Sequence, residues 1–330
     1  TGWMNGDIKL ATLSDTDDTD VTGVELVDNG VFNNGGDWSF GGGWNFANGQ
    51  AEIDTTNNDL LSQDIGMVTG KTYTVSLIMT EYTDGVLDVR LGGNATQTAT
   101  GTGVHTFTGV AGGSTLQIYA FTNATLSIDD ISVRQAEEDR SVNGKGLQVF
   151  GTVTKTPVAA GADLMAYSGF SASNYLEQPY NSDLDFGTGD FSVMGWVKTS
   201  GGGGNRWLIA RNATGGNGSF DVRLTTTDTI ICRVSANDFS NDPQVASSAI
   251  PLNTWVHFVC KRVGTELSIS INGVISNSSN VGSVNISNTI ASLYIAKRST
   301  GDPLSNGSLA LLRISATAPS PEQIKKIYED

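Results

Sequence analysis

Aromatic residues beside glycine runs are the side chains with the clearest chemical potential in this 330-residue sequence. Trp38 and Trp44 flank the glycine run 41–43, and Trp207 follows the run 201–204. An indole exposed on such a loop can stack on the apolar face of a sugar ring, while nearby polar groups bind its hydroxyls. Trp38 and Trp44 could equally fill the core of a β-sandwich, and the sequence leaves both alternatives open for each.

Two polar segments between strand-like runs complete the predicted ligand-binding set. The first contains Asp238, Phe239 and Asn241, and the second, at 297–302, contains Arg298. Side chains of Asn, Asp and Arg bond hydroxyl groups in fixed directions, which is what recognition of a sugar requires.

The remaining candidates for chemistry are better explained by packing. Trp196 and Trp255 lie within strand-like runs, so we expect them in a core. His257 alternates with Trp255 along the same run and is expected to be a packed or hydrogen-bonded core histidine. The other histidine, His105, lies in the other half of the chain, and neither has a Cys or carboxylate at metal-binding spacing.

The sequence contains little that indicates a catalytic site. Retaining glycosidases need two carboxyl groups about 5–5.5 Å apart, which residues two apart on a strand can supply. A Glu-x-Asp pair occurs at Glu52 and Asp54, and no second Glu follows it at the required spacing. No nucleophile-elbow motif is present either. The sequence therefore predicts a protein that is not an enzyme.

Composition excludes several classes of partner. The chain carries a net charge of −15 and 40 glycines, and its longest apolar runs are only a few residues. A phosphate backbone or an anionic membrane needs clustered Lys and Arg, so we expect neither nucleic-acid binding nor membrane insertion. Of the net charge, −13 lies in residues 1–135 and −2 in residues 136–330, which favours two units of different character.

Hydrophobic periodicity predicts an all-β fold. Apolar residues alternate in bursts of strand length, separated by Gly, Asn and Asp, as in half-buried antiparallel strands. Asn272-Gly273 between apolar residues indicates a two-residue hairpin. One helix is expected at the end, capped by Ser320 with Pro321 in its first turn. The prediction is two antiparallel β-sandwiches of jelly-roll type with a short C-terminal helix.

Domain boundaries follow from the polar segments. We expect an N-terminal connector at 1–22, a first sandwich at 23–136 and a second at 137–330. The Asp-rich stretch 14–20 is predicted to be solvated, because a calcium loop of the EF-hand type would need a central Gly and a terminal Glu that are not placed there. Since the chain starts with Thr1, we expect further sequence upstream.

The second half resembles the laminin-G-like, concanavalin-A-like lectin superfamily. The segments that carry this resemblance are 174–179, 184–197, 253–259, the Asn272-Gly273 hairpin and the closing helix at 318–328. The resemblance implies a lectin-type sandwich and is much less specific for the ligand.

The first half resembles the jelly-roll carbohydrate-binding modules of families four, nine and twenty-two. The opening segment 25–32 with Trp38 after it, the segment 70–76 and the final strand 128–133 carry this resemblance. Such modules often hold a structural calcium ion between their first and last strands, which by position would fall to Glu25 and Asp130. The alternative is that Asp129 and Asp130 merely end a strand in water.

The tandem of these two modules looks like the distal part of a bacteriophage tail fibre or a similar adhesion protein. That resemblance implies a location on the virion surface or outside the cell, a cell-surface glycan as ligand, and self-association as a trimer or assembly with other virion proteins. Two other functions stay open: purely structural decoration of an appendage, and an accessory binding region of a secreted polysaccharide-degrading enzyme. Cys232 and Cys260 could form a bridge or remain buried free thiols, and their apolar flanks favour thiols.

Overall fold

The computed structural model describes residues 7–11, 19–55, 57–137, 141, 145–212, 218–236 and 242–329. Nearly all regular structure in these residues is antiparallel β-strand, which confirms the all-β prediction. In chain order the strands are β1 (Ile8–Ala11), β2 (Val21–Gly23), β3 (Ser39–Phe40), β4 (Trp44–Ala47), β5 (Gln50–Asp54), β6 (Asp59–Asp64), β7 (Thr72–Leu91), β8 (Asn94–Ala99), β9 (Gly103–Val110), β10 (Thr115–Glu137), β11 (Leu147–Pro157), β12 (Met165–Ser168), β13 (Tyr175–Gln178), β14 (Phe191–Thr199), β15 (Arg206–Asn212), β16 (Gly218–Leu224), β17 (Thr229–Val234), β18 (Gln244–Ala249), β19 (Val256–Val263), β20 (Glu266–Ile271), β21 (Val274–Asn280), β22 (Ser292–Ile295) and β23 (Gly307–Ser315).

The chain divides into two compact units. Module N comprises Gly23–Glu137 with Lys145–Gln148, and module C comprises Val149–Asp330 with the described part of the first 22 residues. This differs from the expected connector at 1–22, because β1 pairs with β23 of module C and its Ile8 and Leu10 are buried. Four residues are too short a run to show strand periodicity in sequence. The Asp-rich segment at 14–18 lies outside the described residues.

Module N is built around two long strands. β7 and β10 pair along most of their lengths and bend at several bulges, so that different parts of each strand serve different neighbours. The first part of β7 pairs with β9, and its last part pairs with β8. Alternate residues of these strands form one core with residues from the segment 27–67. The largest aromatic members of this core are Phe32, Trp38, Trp44, Tyr73 and Phe107.

Module C consists of two sheets. In the first, here called sheet A, the strand order is β12–β23–β14–β19–β20–β21. In the second, called sheet B, six strands follow the order β13–β22–β15–β16–β17–β18. Strand β11 pairs with β13 at one edge of these six strands and also with β12 of sheet A. Between the two sheets, the rings of Phe191 from β14 and Phe220 from β16 lie 5.3 Å apart. The thiols of Cys232 and Cys260 also meet in this core and are free, as the sequence favoured.

Local sequence explains the hairpin and the helix. Asn272 and Gly273 have φ angles of 48° and 81°, and the left-handed region at both positions is what a type I′ turn requires. The helix α1 (Pro321–Glu329) begins with a capping box, in which Ser320 and Gln323 exchange hydrogen bonds between side chain and backbone. Both sequence predictions are confirmed. At nine residues, α1 is too short to cross a membrane, and no other α-helix occurs in the described residues.

Two buried arginines tie loops to the sandwich of module C. Arg211 donates to Asp185 Oδ1 at 2.7 Å and to the carbonyl of Asn288 at 3.0 Å. Arg262 donates to the carbonyls of Gly187 and Val284 at 2.8 and 2.7 Å. Both side chains are almost fully buried, and burial lowers the pKa of each. Arg211 also donates to Ser219 Oγ of β16 at 3.2 Å, so it joins two loops to a strand of sheet B.

Candidate ligand-binding surface

The two tryptophans predicted as platforms in module N lie in its core. Trp38 is 7% exposed and its indole nitrogen donates to the carbonyl of Asn29 at 3.2 Å. Trp44 is 4% exposed and faces the carbonyl of Asp59 in the same way, at 3.4 Å. Neither ring presents a face to solvent, so the alternative that they fill the sandwich is the correct one. The glycine run between them packs closely against Asp59.

The residues predicted to bind calcium do not fit that ion. Glu25 Oε1 accepts hydrogen bonds from the backbone nitrogens of Val27 and Val133, at 3.1 and 2.8 Å, and Oε2 accepts from Ser132 Oγ at 2.6 Å. Calcium needs oxygen ligands, whereas this carboxylate is surrounded by donors. No group of acidic, His or Cys residues suited to a metal occurs in the described residues. Glu25 joins the two ends of module N directly.

Asp130, the second residue of that pair, sits at a turn of the backbone. It has a φ of 51°, in the left-handed region that Asn and Asp tolerate better than most residues. Burial and the neighbouring Asp129 raise the pKa of its carboxyl group.

Trp207 and Arg298, predicted separately from sequence, lie together in module C. The guanidinium of Arg298 covers the Trp207 ring at 4.3 Å, and the guanidinium of Arg223 lies 5.5 Å from it. Trp207 is 3% exposed, so its ring does not offer a face on which a sugar could stack. It packs against the guanidiniums of Arg298 and Arg223 instead. The other members of the predicted set, Asp238, Phe239 and Asn241, lie outside the described residues.

A buried carboxylate organises this cluster. Asp221 Oδ2 accepts from the indole nitrogen of Trp207 at 3.0 Å and from Arg233, while Oδ1 accepts from Arg223 at 3.2 Å. Arg298 pairs with Asp302, 2.6 Å away and i+4 in sequence. Burial lowers the pKa of Arg223, and the charges of Arg233 and Arg298 add to that effect, although Asp221 opposes it. The carboxylate thus holds two guanidiniums on one face of the sheet.

Strand register extends this cluster into a continuous row. Paired residues on neighbouring strands point to the same side of a sheet, and their neighbours in sequence point to the other. Phe220 and Val222 point into the core, so Asp221 and its partners lie on the outer face of sheet B. The row, one residue from each strand in order, is Glu177, Tyr294, Ala210, Asp221, Arg233 and Gln244.

The other end of the row carries aromatic rings. Lys297 Nζ lies 3.9 Å from the centre of the Tyr175 ring and 5.6 Å from that of Tyr294. Phe150 stacks on Tyr175 at 4.5 Å, and all three rings are half-buried. Burial, followed by the charge of Glu177, raises the pKa of Tyr294 far above its ordinary value. Burial lowers the pKa of Lys297.

We call this outer face, with the row and the neighbouring Trp207, Arg223, Arg298, Lys297 and Tyr175, the sheet B surface. Sequence reasoning found Trp207 and Arg298 but missed Tyr175, Tyr294 and the two arginines of β16 and β17. These residues stand at alternate positions in strands, and their outward orientation was readable from that alternation. Their assembly into one row depends on strand order, which sequence does not reveal.

Comparison with known families agrees with this topology. Residues 170–325 match the family model described as the concanavalin A-like lectin/glucanases superfamily. These residues form a concanavalin A-like domain. The concanavalin A-like domain contains every strand of sheet B and every residue of the sheet B surface. Phe150, which stacks on Tyr175, precedes the matched residues. The laminin-G-like resemblance of the second half is thereby confirmed.

Solved structures give a weaker likeness. The receptor-binding domain of botulinum neurotoxin C/D mosaic serotype has a TM-score of 0.46 and 14% identity, over 59% of this chain and 48% of that one. The binding domain of Paraclostridial Mosquitocidal Protein 1 has a TM-score of 0.46 and 15% sequence identity, over 58% of this chain and 48% of that one. The chain thus spans about half the length of these structures. No curated protein matches the sequence.

Proposed function

We propose that this protein is a non-catalytic carbohydrate-binding protein whose ligand lies on the sheet B surface. The observation that carries the proposal is the continuous row across all six strands of sheet B, with aromatic rings at one end and fixed arginines at the other. Aromatic faces and directed polar groups are the two components of a sugar site. The lectin-type domain that contains the row supports the same function.

The charges on this surface favour an acidic sugar. Four cations, Lys297, Arg298, Arg223 and Arg233, face three carboxylates, Glu177, Asp221 and Asp302, in a chain whose net charge is −15. Among the described residues of this surface, positive charge therefore exceeds negative charge, against the trend of the whole chain. Planar guanidiniums bind carboxylate and sulfate groups with two hydrogen bonds. A polysaccharide carrying uronic acid or sulfate groups satisfies this arrangement.

The wider setting rests on the sequence alone. We propose an adhesion component, such as the distal part of a phage tail fibre, that contacts host-surface polysaccharide from the virion surface or outside the cell. Self-association as a trimer, or assembly with other virion proteins, belongs to the same proposal. The opposing functions are purely structural decoration of an appendage and an accessory region of a secreted polysaccharide-degrading enzyme.

Binding of the intact chain to an array of neutral and acidic bacterial polysaccharides tests the function. We expect acidic polysaccharides to bind, and Arg298→Gln to weaken binding. Arg90→Gln is the matched control, because Arg90 also pairs with a carboxylate and covers a ring, that of Tyr119 at 4.7 Å, but lies in module N. If the folded protein binds no polysaccharide, or if both variants lose binding equally, this function is wrong and the structural role is favoured.

A further inference from the structure

A cavity of about 460 Å³ lies on the outer face of sheet A, beside helix α1. Its walls include Trp196 of β14, His257 of β19 and Arg313 of β23, with Trp255 and Ile327 at its edges. Ligand pockets in proteins span roughly 300–1,000 Å³ and are mostly apolar with few polar groups. The cavity is therefore of the right size and character for a small molecule, and the carbohydrate function makes no use of it.

The aromatic walls are held in place by the fold. The ring of Trp196 lies 5.2 Å from that of His257 and 5.8 Å from that of Tyr328 on α1. The indole nitrogen of Trp255 donates to the carbonyl of Val158 at 2.9 Å, which fixes the ring. Both tryptophans were expected in a core, but each is only half-buried, because each lines the cavity. Rigid rings around open space favour an aromatic or alicyclic guest.

His257 contributes a buried ring nitrogen to this wall. Its side chain is 2% exposed, and its Nδ1 has no hydrogen-bond partner among the residues that the structure describes. Its backbone N–H donates to Asn272 Oδ1 at 2.9 Å. Burial, followed by the positive charge of Arg313, lowers the pKa of His257 to about 4. The imidazole is therefore neutral at pH 7. A buried polar atom without a hydrogen bond destabilises the folded protein, so a guest that bonds it is favoured.

Arg313 gives the cavity its charge. It is 3% exposed, and burial lowers its pKa to about 10, so that it stays protonated at neutral pH. A positive charge in surroundings of low polarity attracts an anion more strongly than the same charge in water. The anionic end of a guest would thus lie toward Arg313 and its ring toward the tryptophans.

The backbone of β23 is distorted beside the cavity. Leu311 has a φ of 50°, which is rare for a bulky residue that is not glycine. The pairing of β14 with β23 shifts register at the same place, between Met194 and Trp196. The bulge places Ala310, Leu311 and Arg313 together in the cavity wall. Bulges that redirect side chains are common next to ligand sites, where strained residues also cluster.

The geometry points to a second binding site in this cavity, for a small amphipathic anion with a carboxylate on an aromatic or alicyclic ring. The site is separate from the sheet B surface, since it lies on the outer face of the other sheet. The ligand is therefore a different molecule from the proposed polysaccharide. Either proposal can be wrong while the other is right.

Ligand-observed fluorine NMR with the intact chain tests this site. The probe is para-trifluoromethylbenzoate, and para-trifluoromethylbenzyl alcohol is its neutral counterpart. We expect the benzoate to bind more tightly than the alcohol, and Arg313→Met to weaken the benzoate by about tenfold or more, which is the range for a hydrogen bond to a charged group. Arg90→Gln, in module N, should leave both probes unchanged.

Three results would overturn the inference: no binding of either probe, equal affinity for both, or no effect of Arg313→Met in a folded protein. If Arg313→Met does not fold, Trp255→Ala carries the test, because Trp255 lies at the edge of the cavity and is half-buried. It should weaken both probes. Unchanged binding to that variant would place the probes elsewhere and end the proposal.

Discussion

The indole nitrogen of Trp207 donates to Asp221 Oδ2 at 3.0 Å, and the carboxylate that receives it also binds Arg223 and Arg233. This one acid, 1% exposed, holds together the cationic end of the sheet B surface. Its position explains how two guanidiniums are held side by side on the outer face of sheet B. A carboxylate hidden beneath two guanidiniums fixes their positions without offering its own charge to a ligand.

Asp221→Asn should reduce the free energy of unfolding by about 3–5 kcal/mol, because removing one partner of a buried ion pair leaves uncompensated charge. Urea denaturation of the isolated chain measures the change. The matched control is Asp302→Asn, whose carboxylate pairs with Arg298 at 42% exposure. It should change stability by less than about 1 kcal/mol. Equal effects of the two variants would contradict the structural role given to Asp221.

Binding of an acidic polysaccharide to the sheet B surface should weaken as salt concentration rises. Charges at a surface are screened over about 10 Å at 0.1 M salt, so an ion-pairing ligand loses affinity. Affinity measured by microscale thermophoresis at several salt concentrations provides the slope, and Arg298→Gln should make it shallower. An affinity that does not respond to salt would show that the carboxylates or sulfates of the ligand are not what is recognised.

His257 should make the protein less stable as the pH falls below 6.5. Its pKa is about 4 in the folded protein, below the ordinary value of 6.5, so the unfolded chain takes up the proton first. Stability is complete above pH 6.5 and declines toward pH 4, by about 3 kcal/mol in all. The readout is the difference in pH dependence between the wild type and His257→Gln. Parallel curves would mean that the imidazole is not buried as described.

Module N should unfold at the same temperature with and without a calcium chelator. Glu25 links the two ends of the module through hydrogen bonds to Ser132 and to the nitrogen of Val133. Glu25→Ala should lower the free energy of unfolding by roughly 1–3 kcal/mol, because it leaves backbone donors without an acceptor. Calorimetry of both proteins measures these effects. A melting temperature that falls on chelation would restore the calcium prediction.

Cys232 and Cys260 should be unreactive toward a thiol reagent until the protein unfolds. Both side chains are at most 1% exposed, and burial raises the pKa of the Cys260 thiol, so little thiolate forms. A chromogenic disulfide reagent should detect no thiol in the native chain and two in denaturant. If neither cysteine reacts in denaturant, the two form a disulfide bond. If both react rapidly in the native chain, they are not buried as described.

The parts of the fold that the sequence predicts are those set by local chemistry. The Asn272-Gly273 turn and the Ser320 cap depend on residues a few positions apart, and both are confirmed. The tryptophans were harder, because a glycine run beside an indole is compatible with an exposed loop and with a tight turn over a core. Trp38 and Trp44 lie in a tight turn over the core, because burying two large rings stabilises the small core of module N.

The candidate surface was predictable only in fragments. Arg298 and Trp207 lie 91 positions apart in sequence, and Tyr294 joins them only because β22 lies between β13 and β15. That order results from long-range pairing, which no local pattern encodes. The cavity beside α1 was missed for the same reason, since its walls come from three strands and a helix.

The pairing of β1 with β23 makes module N a guest within module C. The described residues up to Thr22 and those from Val149 onward belong to the same unit, so the polypeptide leaves that unit, builds module N and returns to it. A guest of this kind can be excised and replaced by a short flexible bridge while the host retains its strands. A different domain could be inserted at the same two junctions, so that module C would serve as a scaffold for exchangeable inserted domains.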